Sequence, residues 1–287
     1  FATQTFLVEE VVPARIATKL TPSATTIVPG EALTVTGDAK FLYGAPAADL
    51  KVKSDLVVQP DGDPFPAFEG YRFGLEEEET DPLRVSFGDL RTDANGAFTI
   101  PVALEDVQDV QAPLKATLRV EVYEFGGRPV IESVDLPVRE KPLYIGIKPL
   151  FTDEEVPEGS NAQFQVVALD KAGAPTAVTK LDYRLIREEW SYDWFYSGCA
   201  WDYHVSIQDG EARTGTLSNV SSEPVTVTEQ VRWGNYRLEV YDPATSAASS
   251  MRFHAGWSAK PGSGESPDRL QVVSDKASYK AGETAQI

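Results

Sequence analysis

The chain has 287 residues, with 26 lysines and arginines against 44 acidic residues, one cysteine and a formal charge of −18. That excess of carboxylates disfavours nucleic acid and anionic lipid, both of which need a basic face. A lone cysteine excludes an internal disulfide framework, and no apolar run approaches the ~20 residues of a membrane-spanning helix.

Residues 1–10 alternate apolar and polar at Phe6 and Val8, and read as the last strand of a preceding domain, followed by a link at Val12-Pro13-Ala14. A start inside a strand, without a basic or apolar leader, predicts a piece of a longer protein. From Ile16 onward, alternation at Ile16/Thr18/Leu20, Leu33/Val35 and Leu50/Val52 predicts strands with one buried face. Two turns punctuate them, at Pro29-Gly30 and in Phe41-Leu42-Tyr43-Gly44-Ala45-Pro46. Both glycines recur at one and the same offset, as Gly159 and as Gly173 in Gly173-Ala174-Pro175, and Gly282 in Tyr279-Lys280-Ala281-Gly282-Glu283-Thr284-Ala285 opens a third copy. The spacing exceeds a solenoid repeat of ~20–50 residues and suits whole domains of roughly 100–150. The chain is read as a segment of a tandem array.

Between Asp55 and Val85 the alternation fails. Pro60, Pro64 and Pro66 cannot sit in central strands, so this stretch, with Phe65 and Tyr71-Arg72-Phe73-Gly74, predicts an ordered loop pinned by aromatics or a lid over a sheet edge. Its acidic run Glu76-Glu77-Glu78-Glu79-Thr80-Asp81 suggests calcium only weakly, because calcium loops alternate their ligands around a glycine turn. A solvated loop is the favoured reading. Asn95-Gly96 between strands predicts a hairpin. Leu118/Val120/Val122 and Val134/Leu136/Val138 predict two more strands, with a boundary near Arg139-Glu140-Lys141-Pro142.

The second domain opens at Leu143-Tyr144-Ile145-Gly146-Ile147-Lys148-Pro149. A strand at Leu181–Ile186 leads into the aromatics Trp190, Tyr192, Trp194, Phe195, Tyr196, Trp201 and Tyr203. An exposed cluster of this kind could bind carbohydrate or stack bases. A hairpin whose aromatics cover a sheet is favoured by β-propensity and cross-strand pairing. Strands follow at Val225/Val227, Tyr236/Leu238/Val240 and Met251-Arg252-Phe253, with a turn at Asp242-Pro243-Ala244-Thr245, and the domain closes at Gly256-Trp257. Residues 258–267 are a polar linker, and 268–287 begin the third copy.

Catalytic signatures are missing: no Gly-x-Ser-x-Gly elbow, His-Glu-x-x-His pair or phosphate-binding glycine loop is present. Cys199 lies five residues before His204, which suggests a Cys–His nucleophile, but no orienting carboxylate is obvious and His254 stands apart. Asn219-Val220-Ser221 fits a glycosylation sequon, relevant only in a eukaryotic secretory pathway. No catalytic, cofactor-binding or metal-binding residue is predicted, and no cofactor.

Several strings resemble the bacterial alpha-2-macroglobulins. They include Phe41-Leu42-Tyr43-Gly44-Ala45-Pro46, Pro64-Phe65-Pro66 with Gly70-Tyr71-Arg72-Phe73-Gly74, Thr92-Asp93-Ala94-Asn95-Gly96 and Tyr144-Ile145-Gly146-Ile147-Lys148-Pro149. Trp201-Asp202-Tyr203, Val231-Arg232-Trp233-Gly234-Asn235-Tyr236-Arg237-Leu238-Glu239-Val240 and Ala255-Gly256-Trp257 continue the likeness, and Asp275–Thr284 is similar to the start of the family's bait-region domain. The resemblance implies middle macroglobulin domains of a protease trap, in which bait cleavage lets a thioester capture the protease. That thioester forms within Cys-x-Glu-Gln. Here Cys199 is followed by Ala200-Trp201-Asp202, so the reactive part lies outside this segment or the parent lacks it. The family also implies target proteases and neighbouring macroglobulin domains as partners, and a periplasmic, often lipid-anchored parent in Gram-negative bacteria.

The expected fold is all-β, as tandem antiparallel β-sandwiches of macroglobulin-like, immunoglobulin- or fibronectin-III-like kind. Residues 1–10 are assigned to a preceding domain, 11–140 and 141–258 to two sandwiches, and 259–287 to a linker and the first strands of a following domain. The expected function is a non-catalytic scaffold of a protease-trapping inhibitor. The alternative is a surface module that holds glycan or protein through the aromatic hairpin 190–203. Exposure of Trp194, Phe195 and Trp201 separates them: a coplanar exposed row favours glycan, and burial against the sheet favours scaffold.

Overall fold

The computed structural model describes residues 15–256, except 106, 125–128, 153 and 198–199. The strand expected in 1–10, the linker, the third copy, Trp257 and Cys199 lie outside the described residues. Everything described is β-strand, turn or loop, apart from one 3-10 turn at Pro66–Phe68.

The first sandwich pairs β1 (Ile16–Pro22), β2 (Leu33–Phe41) and β6 (Ala97–Val102) in one sheet, in the order β1-β2-β6. Its second sheet runs β5-β3-β7-β8, from β3 (Lys51–Pro60), β5 (Leu83–Arg91), β7 (Leu114–Tyr123) and β8 (Pro129–Val138). Every pairing between these strands is antiparallel. The alternation seen in sequence becomes the core: Leu33 and Val35, Val52, Leu56 and Val58, Leu118, Val120 and Val122 form one buried cluster between the sheets. Phe98 lies across Gly37 in this core, where a Cβ would fall 1.9 Å from its ring, so only glycine fits beneath it.

The second sandwich repeats that order. Here β9 (Leu143–Pro149), β11 (Asn161–Asp170) and β14 (Val225–Gln230) stand for β1, β2 and β6. In the other sheet, β12 (Val178–Ser197), β13 (Ala200–Val220), β15 (Gly234–Tyr241) and β16 (Ala248–Ala255) stand for β3, β5, β7 and β8. The repeated glycines mark equivalent points: Gly30 and Gly159, and Gly44 and Gly173, have φ of 83 and 78°, and 96 and 81°. The bridges Lys40↔Pro46 and Leu169↔Pro175 close the two turns alike. Phe164, Leu181, Leu185, Leu238 and Met251 are fully buried in the second core.

Two short strands complete the sheets, the first of them matching the isolated parallel bridge Ile27↔Val138 of the first sandwich. The short β10 (Glu155–Val156) pairs in parallel with β16. The other, β4 (Arg72–Phe73), comes from the proline-rich loop of the first sandwich and extends the second sandwich's smaller sheet at β9, giving β14-β11-β9-β4.

Two expectations need correction. Asn95-Gly96 does not join a hairpin: β5 and β6 lie in different sheets, and the turn carries the chain across the sandwich. Only Gly96 takes positive φ, the Asp93 carboxylate accepts the N–H groups of Asn95 and Ala97, and a Cβ at Gly96 would lie 2.2 Å from the Ala39 oxygen. Nor do the aromatics of 190–203 cover a sheet. β12 leaves β15 at the pair Glu188↔Asn235, and from Glu189 onward it pairs only with β13 among the described strands.

Candidate functional site

The loop between β3 and β5 is a strap that binds one sandwich to the other. Phe65 is buried at its start, edge-on to Phe73 with ring centroids 4.9 Å apart and tilted against Tyr144 at 5.5 Å. It packs so closely on the Gly173 turn that a Cβ there would meet its ring at 2.8 Å. Phe73 then lies over Gly146, opposite it in register, where a Cβ would sit 2.7 Å from the Phe73 ring and 2.9 Å from Val167. These rings form an apolar cluster with Tyr144, Val167 and Leu169, separate from either sandwich core. The expected pinning by aromatics is therefore observed, and the pinned edge belongs to the neighbouring sandwich.

Past Phe73 the strap crosses to the other sheet. The Gly74 N–H donates to the Ser249 hydroxyl at 2.9 Å, and that fully buried hydroxyl donates to the Ile145 carbonyl. The Ser250 N–H donates to the Gly74 carbonyl at 3.0 Å, and the Glu76 N–H to the Ser250 hydroxyl at 2.8 Å. The acidic run is still largely exposed, and three of its carboxylates also hold this junction. Glu76 accepts the Arg252 N–H and pairs with Arg72, Glu77 accepts the Ser250 hydroxyl at 2.6 Å, and Glu78 accepts the Gln111 N–H at 2.8 Å. Burial is the main reason the Glu76 carboxyl is held above its usual pKa, against the opposing pull of the Arg252 N–H and the Arg72 charge.

Arg139, at the boundary read from sequence, is 5% exposed. Its guanidinium donates to the carbonyls of Leu114, Val138 and Pro64 at 3.1, 3.2 and 2.8 Å, and lies 4.8 Å from the Phe65 ring centre. Burial lowers its pKa, and the Tyr144 and Asp61 groups partly oppose that. Arginine suits the place because its flat fork can satisfy three carbonyls while stacking on a ring.

The strap meets a charge cluster on the outer face of the larger sheet. Arg237 donates to Glu188 at 2.5 Å, to Asp209 at 2.9 Å and to Glu239 at 2.9 Å, and lies 3.7 Å from Glu77 of the strap. Arg252 donates to Glu188 at 3.0 Å, and Arg184 to Glu239 at 2.9 Å. Burial opposes the Arg237 charge, but its hydrogen bonds to Glu239 and Glu188 and the Glu77 charge outweigh it and raise its pKa. The Glu188 side chain is fully buried between two guanidinium groups, beside the β-bulge where β12 leaves the sheet.

Beyond that bulge, β12 and β13 run on as a two-stranded ribbon from Glu189↔Gln208 to Ser197↔Ala200. At 3.3 Å per residue it is about 30 Å long. Pairing puts Trp190 opposite Ile207, Tyr192 opposite Val205 and Trp194 opposite Tyr203, on one face with Tyr196. The other face carries Glu189 and Gln208, Ser191 and Ser206, Asp193 and His204. Trp194 is 42% exposed, Tyr196 63% and Ile207 39%, and Phe195, on the opposite face from Trp194, is 44% exposed. The Trp194 and Tyr203 rings are tilted by 51°, and those of Tyr192 and Tyr203 by 62°. The aromatics are exposed but not coplanar, so neither expected outcome holds whole; the Trp201 side chain lies outside the described residues.

No catalytic constellation forms among the described residues. His204 is exposed on the ribbon, while His254, on β16, places Nδ1 2.8 Å from the Asn235 side-chain oxygen. No group of three or more His, Cys, Asp or Glu among them could hold a metal ion. A cleft beside the strap, lined by Phe65, Phe68, Tyr71, Phe151 and the Arg72–Glu154 pair, contains no serine, histidine or cysteine. No helix among the described residues is long and apolar enough to cross a membrane.

Comparison with known proteins places these features. Residues 14–139 match the bacterial alpha-2-macroglobulin MG5 domain, and residues 146–257 match bacterial macroglobulin domain 6. An alpha-2-macroglobulin of Xylella fastidiosa is 31% identical over 98% of this chain, which spans 17% of that protein. The crystal structure of Salmonella alpha-2-macroglobulin reacted with methylamine is 32% identical, with a TM-score of 0.74 over 96% of this chain and 18% of its own. Escherichia coli alpha-2-macroglobulin activated by porcine elastase is 30% identical, with a TM-score of 0.71 over 86% of this chain and 22% of its own. The chain thus spans less than a quarter of the relatives it matches.

Proposed function

Because this chain belongs to the bacterial alpha-2-macroglobulin family, we propose that it is a non-catalytic scaffold of a protease-trapping inhibitor. It would hold two macroglobulin units, residues 11–140 and 141–258, in one fixed relation. The observation that carries this reading is the strap: a segment of the first unit extends a sheet of the second, buries Phe65 and Arg139 and packs Phe73 against Gly146. A flexible linker would leave the inter-unit angle free, whereas these contacts allow a displacement at one end of the array to reach the other. In the parent, a protease would cut a bait segment beyond residue 287, and a thioester outside this segment would then capture it covalently. The state of the Escherichia coli relative activated by elastase and the methylamine-treated state of the Salmonella relative support both steps. A periplasmic, lipid-anchored parent belongs to the same proposal.

The full-length parent is weighed by mass spectrometry before and after methylamine, and incubated with a broad-specificity protease. A methylamine adduct and protease retained covalently after one cut are expected. Absence of both would remove the trapping mechanism.

A further inference from the structure

The two sandwiches make different uses of one connection, and the difference identifies what the aromatic ribbon is for. In the first sandwich, the connection between β3 and β5 leaves the sheet beside the pairs Pro60↔Leu114 and Leu114↔Val138, at the end from which the chain passes on to the second sandwich. It becomes the strap, and seats on β9 and the Gly173 turn of the unit that follows. In the second sandwich, the connection between β12 and β13 occupies the same place in the strand order. It leaves the sheet beside Glu188↔Asn235 and Asn235↔His254, again at the end where the chain exits. It carries an apolar face through Trp190, Trp194, Tyr196, Val205 and Ile207 that extends past the sheet.

We propose that this ribbon is the second strap: its aromatic face seats on the first strand and glycine turn of the next unit along the chain, continuing the junction made by Phe65 and Phe73. The occupant can be named from the sequence. Gly282-Glu283-Thr284-Ala285-Gln286 repeats Gly159-Ser160-Asn161-Ala162-Gln163, an offset of 123 (282 − 159) that carries β9 to residues 266–272, ending in Leu270-Gln271-Val272. The chain spans 17–18% of the matched relatives, which leaves length for further units like these two.

The receiving half of the contact is visible in its open form on the first sandwich. Among the described strands β1 is at the sheet edge, whereas its counterpart β9 is covered by β4. No atom of the described residues lies within 4 Å of a Cβ placed at Gly44, whereas Gly173 is closed by Phe65. Leu42 and Tyr43, beside that open turn, are 69% and 79% exposed. The outgoing ribbon is also tied to the incoming strap: Arg237 touches Glu77 of the strap together with Glu188 and Asp209 at the ribbon's root. The proposal rests on the division into repeated units and not on protease trapping.

The test is photo-crosslinking in the full-length parent, before any protease or methylamine is added, so its failure and that of the trapping reading are told apart. A benzophenone amino acid replaces Trp194 or, in a second variant, Val205; a third variant carries it at Asp193 on the polar face. Isotope-labelled and unlabelled protein are mixed, and crosslinked peptides are mapped by mass spectrometry. Crosslinks within one chain, from 194 and 205 into residues 268–287 and the rest of the following unit, and lost from 193, are expected. Crosslinks between labelled and unlabelled chains would assign the face to a second copy and overturn the proposal. So would crosslinks to other parts of the chain, or none from either apolar position.

Discussion

The β3–β5 connection of the first sandwich and the β12–β13 connection of the second stand at equivalent points of one repeated topology, yet they are built differently. The first has a proline at 60, 64 and 66 and cannot continue the ladder, so its backbone is free to wander onto a neighbour and be fixed there by aromatic side chains. The second has no proline between 178 and 220 and stays paired beyond the bulge near Glu188, so the ladder runs on past its sheet as a ribbon. Where the chain gives up its own hydrogen bonds it must find others, and the strap finds them on Ser249, Ser250 and Arg252. Where it keeps them, what remains to be satisfied is an apolar face.

Removing the anchor of the charge cluster breaks this comparison most strongly. Glu188→Ala leaves Arg237 and Arg252 without their buried partner, and a loss of about 3–5 kcal/mol in unfolding stability is expected in urea titrations. Phe65→Ala opens a cavity beneath the Gly173 turn and strips the stacking from Arg139, for a loss of about 3–5 kcal/mol. Its signature is a first and second sandwich that melt in separate calorimetric transitions. Ser249→Ala removes the hydroxyl that joins Gly74 to Ile145 inside the molecule, at a cost of about 1–3 kcal/mol by the same titration.

Two further changes sharpen the comparison. Glu76→Gln keeps an acceptor for the Arg252 N–H and removes a partly buried charge. The folded carboxyl has its pKa raised above the ordinary 4.5, mainly by burial, so its contribution is fully present below 4.5 and is lost as pH rises through the folded value. The native junction is therefore expected to gain from Glu76 on mild acidification, and the Gln variant to lose that part of the pH profile. Trp194→Ser, out on the ribbon, is expected to change the stability of residues 15–256 by no more than about 0.5 kcal/mol, as for a surface site. A larger loss would mean that the ribbon is already packed within this chain.

Much of this was legible in the residues. Alternation located the core strands around Leu33, Val52, Leu118 and Leu238, and the paired glycines revealed the repeat, because both signals are local. The prolines and aromatics of 60–73 identified an ordered segment against a sheet edge, but not whose edge, since Gly146 carries no mark of the ring that will cover it. Arg139 was visible only as a boundary residue, and Glu76–Glu78 only as a charged run. Their roles depend on Pro64, Gln111, Ser250 and Arg252, far away in sequence. Asn95-Gly96 misled for a related reason. It specified a tight turn correctly, but sheet membership is decided by contacts with Ala39 and Ala47 that no local pattern encodes.

The strap fixes the two sandwiches relative to each other if Phe65, Phe73 and the Ser249 hydroxyl hold it in place. Spin labels at exposed Ser133 and Ser221, one on each sandwich, with Cys199 replaced by serine, allow that relation to be measured directly by pulsed electron resonance. A single narrow distance distribution is expected for the native strap. With Gly146→Val, whose Cβ displaces the Phe73 ring, it is expected to broaden while each sandwich stays folded by circular dichroism. A broad native distribution, or one left narrow by Gly146→Val, would contradict the account.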